Sequence, residues 1–109
     1  MIRHTWQDVV NICSKASDKN FKSACFDSLG FIAVANSQGK ADMIMSSCNK
    51  ISAQEFRAKC LISAAGELIF QNVLGWQESS KTLCQSLSEG YQKACFEYIE
   101  NIKKDYNRI

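Results

Sequence analysis

Six cysteines carry most of the chemistry available to this 109-residue chain. They stand at Cys13, Cys25, Cys48, Cys60, Cys84 and Cys95, so successive gaps are 12, 23, 12, 24 and 11. Sulfur at such positions can cross-link the chain, fill the core as a thiol, ligate a metal or cycle between redox states. Zinc is disfavoured, because no pair has the C-x2-C spacing of compact sites and the single histidine, His4, lies near a terminus. Cu(I) suits soft thiolates, but Met43 and Met45 fit helix packing better than a ligand pattern. Redox catalysis needs an activated thiolate, commonly in a C-x-x-C at a helix start, and the sequence contains no such motif. Cross-links are therefore the expectation, with six buried thiols as the alternative.

The remaining reactive groups do not assemble into a catalytic pattern. Asp27, Asp42, Glu67 and Glu78 are scattered singly along polar faces, and Glu97 and Glu100 sit beside Lys103, Lys104 and Asp105 as solvated helix pairing does. No G-x-S-x-G elbow is present among the serines. The chain is expected to be no enzyme and to need no cofactor or metal. Thirteen Lys+Arg against eleven Asp+Glu leave a charge of +2, too even for phosphate neutralisation to dominate binding, so nucleic acid is not an expected partner.

The cysteines can meet only if the elements carrying them fold back. Were residues 13 to 25 one helix, the two Cα atoms would stand about 18 Å apart, whereas a disulfide needs about 4.4–6.8 Å. A polar break lies midway in each pair: Ser17-Asp18-Lys19-Asn20, Ile51-Ser52-Ala53-Gln54, and Ser86-Leu87-Ser88-Glu89-Gly90. Ser52-x-x-Glu55 reads as a capping box opening a new helix. Folding at each break puts the cysteines about one turn inside adjoining antiparallel helices, which predicts the pairing 13–25, 48–60 and 84–95. Proline is absent and only five glycines occur, which favours helices over many-stranded sheets.

Corresponding cysteines recur at 35 or 36 residues, a period that belongs to two-helix repeats. The flanks agree: Phe21, Phe56 and Tyr91 each precede the second cysteine of a pair by four residues. Phe21, Cys25, Phe26, Leu29, Gly30, Ala33 and Val34 map onto Phe56, Cys60, Leu61, Ala64, Ala65, Leu68 and Ile69, in steps that trace one helical face. In the third copy Glu100, Lys103 and Lys104 replace the later apolar positions, the charged face expected of a terminal cap. Gly39 can turn the first inter-unit link with positive φ. The prediction is an all-α single domain, 1–109. Its three stapled hairpins of about 1–37, 38–74 and 75–109 stack as a short α-solenoid or a compact helical bundle. In period this is similar to tetratricopeptide-type repeats. The Trp, Leu-Gly, Tyr and Pro positions of that family have no counterparts here, so the likeness is one of construction.

Bridged cysteines imply an oxidising, extracytoplasmic setting such as a periplasm or cell exterior. Residues 1–6 lack the apolar core of a secretory leader, and no run reaches the roughly 18 apolar residues of a membrane span. The expected chain is a mature domain or a piece of a longer protein, monomeric or weakly oligomeric. Stacked hairpins present an extended surface, which makes a protein or peptide the expected partner. The stretch Leu68 to Trp76 stays apolar where an inter-unit loop should be polar, and aromatic anchors are typical of interface centres. Phe70 and Trp76, with Trp6 at the opposite end, are thus the candidate binding residues. An inhibitor or immunity-type protein, a segment of a longer array and a Cu(I)-binding protein are the alternatives.

Overall fold

The polar breaks do divide the chain into helices. The computed structural model describes residues 6–108 and places six helices among them: α1 (Trp6–Lys15), α2 (Lys19–Ser37), α3 (Ala41–Cys48), α4 (Gln54–Phe70), α5 (Trp76–Gln85) and α6 (Glu89–Asp105). The described residues contain no strand. His4 lies outside them.

Short polar side chains set the boundaries. Asp18 holds extended backbone before α2, and its carboxylate accepts the N–H groups of Asn20 and Phe21 at 2.8 and 3.0 Å. That satisfies two of the four unpaired donors of the first turn. The capping box expected at Ser52 and Glu55 does not form: α4 starts at Gln54, with Ala53 as its cap and no side-chain bond. The break is held instead by the Arg57 guanidinium, which donates to the carbonyls of Ile51 and Ser52 at 3.0 and 3.3 Å. Ser52 is thereby kept one residue too early to cap. At the first inter-unit link Gln38 and Gly39 both take positive φ, 56° and 78°, and the Gly39 N–H bonds back to the Val34 carbonyl.

Three disulfides clasp the hairpins in the predicted pairing. Cα–Cα distances are 5.4 Å for Cys13–Cys25, 5.7 Å for Cys48–Cys60 and 5.4 Å for Cys84–Cys95. Five of the six cysteines are fully buried, and Cys25 alone is half-buried.

The long helices form the packing scaffold, with α4 lying against both α2 and α6 as well as α3 and α5. Its buried residues, Ala58, Cys60, Leu61, Ala64, Ala65, Gly66, Leu68 and Ile69, almost encircle it, as the sandwiched position demands. Close approach to α2 depends on Gly30, where a Cβ would stand 2.6 Å from both the Ala64 nitrogen and the Ser63 Cβ. The Ser63 hydroxyl seals the crossing by donating to the Asp27 carbonyl at 2.6 Å. Phe56 stacks on Phe26, with centroids 4.4 Å apart and planes 11° from parallel. The result is a compact bundle of 38 × 32 × 22 Å.

One repeat position departs from strict equivalence. Phe56 and Tyr91 are half-buried against the preceding hairpin, whereas Phe21 has no hairpin before it and is 63% exposed. The outer side of α6 is charged as expected, with Lys103 paired to Glu100 at 2.8 Å and Lys104 exposed.

Candidate interaction surface

The links between hairpins, residues 38–40 and 71–75, gather at the end of the bundle away from the staples. A Cβ on Gly39 would meet the Val73 side chain at 2.5 Å, so the two links touch. The chain end joins them there: the Arg108 guanidinium donates to the carbonyls of Ile69 and Phe70, both at 3.1 Å. Those are carbonyls of the last turn of α4, where a helix runs out of internal donors, and the Ile69 carbonyl also accepts the Asn72 N–H at 3.0 Å.

Of the three predicted binding residues, Phe70 reaches the surface. It is 46% exposed and meets Tyr106 edge to face, with centroids 4.8 Å apart and planes at 87°. Leu74, in the link that follows, is fully exposed. Trp76, in contrast, is only 4% exposed. Gly75, at φ 83°, turns the chain so that the indole folds under the link. There its N–H donates to the Asn72 side chain at 3.1 Å, and the Lys103 ammonium lies 5.7 Å from the ring centre. An aromatic ring with its polar edge satisfied and a cation on its face belongs to the core. Trp6 packs half-buried at the start of α1, its indole N–H buried with no acceptor among the described residues. The structure therefore does not join Trp6, Phe70 and Trp76 into one patch.

Two tyrosines take the place of the tryptophans. Tyr98 crosses from α6 onto α4 and lies on Gly66, where any Cβ would collide with its ring. Burial pushes the Tyr98 hydroxyl above its ordinary range, and the carboxylates of Asp27 and Glu67 push it the same way, with Tyr106 adding to them. Asp27 is itself raised by burial, against the opposing pull of the Lys59 ammonium. The side chain of Gln71 donates to Glu67 at 2.8 Å. Tyr98 and Tyr106 remain 41% and 44% exposed, so the surface alternates aromatic rings with carboxylates. A sequence signal for this existed: Tyr98 stands where the two earlier repeats carry Ser28 and Ser63, and Gly66 ends the run of small residues Ser63-Ala64-Ala65-Gly66.

All six sulfurs are in disulfides, which leaves no thiolate for Cu(I) in this state. Among the described residues no three His, Cys, Asp or Glu side chains converge as metal ligands. No described helix is long and apolar enough to cross a membrane. Comparison with protein-family models, with curated proteins and with solved structures finds no match to this chain.

Proposed function

We propose that the chain is a non-catalytic protein-binding module of an oxidising, extracytoplasmic compartment, and that Phe70, Leu74, Tyr98 and Tyr106 form its binding surface. The observation that carries this reading is the exposed Phe70–Tyr106 pair, held by two hydrogen bonds from Arg108. Exposed aromatic rings cost solvation unless something covers them, and amphipathic tyrosine is enriched at interface centres. The carboxylates of Asp27 and Glu67 beside Tyr98 favour a partner that presents basic side chains. The three disulfides, which persist in oxidising surroundings, support the extracytoplasmic setting.

The test is site-specific photo-crosslinking in the native compartment, with a photoreactive phenylalanine at position 106 and, as control, at the exposed Lys50. The expected result is one discrete adduct from position 106, none from position 50, and loss of the adduct in Phe70→Glu. Equal labelling from both positions, or an adduct indifferent to Phe70→Glu, would overturn the proposal.

A further inference from the structure

The repeat leaves one helix face uncovered. Phe56, Lys59 and Ser63 of α4 lie on the side that packs toward α2, and their equivalents on α6 lie toward α4. On α2 the matching side is open: Phe21 and Phe31 are 63% and 52% exposed, Ala24, Ser28 and Ala35 between and beyond them are exposed, and Cys25 and Ile32 are half-buried. Positions 21, 24, 28, 31 and 35 recur at the helical spacing and share one side of α2. None of these five positions is charged, and the exposed Asp27, one turn before Phe31, lies at the margin of that side.

The corresponding surface at the other end of the stack cannot fill this one. On α6 the positions matching Gly30, Ala33 and Val34 are Glu100, Lys103 and Lys104. Head-to-tail growth would bury these charges against Phe21 and Phe31, and desolvating them without partners is costly. Two-fold pairing of the open face with itself meets no such obstacle. Antiparallel about a point midway between Ala24 and Ser28, two copies of α2 bring Phe21 of each over Phe31 of the other, and Ala24 of each beside Ser28. The aromatic residues, 10 positions or about 15 Å apart, then bracket a crossing made of small side chains. The intramolecular α2–α4 crossing uses the same device, with Gly30 against Ser63 and Ala64. Such self-complementarity under a two-fold axis is what an isologous interface requires.

We infer that this protein pairs with a second copy of itself through the outer face of α2, with Phe21 of each copy packed on Phe31 of the other. This surface is separate from the Phe70–Tyr106 surface, so either reading survives failure of the other. The exposed Phe21 and Phe31 rings and their small neighbours supply roughly 900 Å² over both copies, in the size range of weak, transient interfaces. The dimer is accordingly weak and reversible.

Sedimentation equilibrium of the oxidised 109-residue chain from 5 to 300 μM tests it. The expected result is a reversible monomer–dimer equilibrium that Ala24→Glu weakens at least tenfold, with unchanged helicity and intact disulfides. Phe70→Ala should leave the equilibrium unaltered. A photoreactive phenylalanine at position 31 should cross-link to the peptide containing Phe21 of another copy. A monomer throughout the range, a dimer indifferent to Ala24→Glu, or cross-links from position 31 to the Lys103–Lys104 segment would each overturn the inference.

Discussion

Replacing the cysteine pairs one at a time by alanine separates two contributions that the intact protein combines. The sequence separations are 12, 12 and 11 residues, so the loss of loop-closure restraint is nearly the same for each, about 3 kcal/mol. For a chain of this length, an unfolding entropy of about 0.23 kcal/mol/K converts that into a fall in Tm of roughly 13 °C. Burial then distinguishes them. Cys48, Cys60, Cys84 and Cys95 are all fully buried, so truncation to alanine there adds the cost of unfilled core space, about 1 kcal/mol per site. Cys25 is half-buried on the open side of α2, where the void reaches solvent. The expected losses are thus about 3–4 kcal/mol for Cys13→Ala/Cys25→Ala and about 5 kcal/mol for the other two pairs. Urea denaturation measures this, with intact mass confirming two remaining disulfides in each variant. Losses below about 1 kcal/mol throughout would refute the loop-closure reasoning, and a first pair as costly as the others would refute the burial reasoning.

Other substitutions probe single contacts. Gly66→Ala forces the Tyr98 ring off α4 and should cost about 1–3 kcal/mol in thermal unfolding, and Tyr98→Ala in the same chain should recover most of the loss. Asp18→Ala removes the cap of α2 and should cost about 1 kcal/mol, which urea denaturation would show as a lower midpoint with unchanged slope. Because the folded state holds the Tyr98 proton more tightly than the unfolded state does, stability should be level below the ordinary tyrosine pKa of 10.0 and fall as pH rises beyond it. Denaturation of Tyr98→Phe across that range should lack this component of the fall. For Asp27, also raised by burial, ionisation above its ordinary value of 3.8 opposes folding. Asp27→Asn should therefore be at least as stable as the parent at pH 7, and a clear loss there would contradict the assigned cause.

The fold was legible because disulfide geometry and helix rise cannot both be met without a turn between each cysteine pair. Six cysteines and three polar breaks therefore determine three hairpins. The capping of α4 was not legible, since Ser52-x-x-Glu55 satisfies one local pattern while Arg57, five and six residues on, holds the Ser52 and Ile51 carbonyls in another. The surface was half legible. Phe70 follows from an apolar stretch that runs on past its helix, but Trp76 in the same stretch is drawn inward by a left-handed turn at Gly75 and a hydrogen bond to Asn72. Tyr98 depends on its fit to Gly66 across two helices, 32 positions apart, which periodicity along either helix cannot express.

All three staples lie where short helices turn into long ones, and the opposite end, with its two links and the Phe70–Tyr106 pair, has none. Amide protons around Cys25, Cys60 and Cys95, in the second turns of α2, α4 and α6, should then exchange only through global opening. Those near Asn36, Phe70 and Asp105 should exchange through smaller, cheaper fluctuations. The molecule is graded along its length, with an annealed base and a compliant tip, and the compliant tip is the end that carries the Phe70–Tyr106 pair.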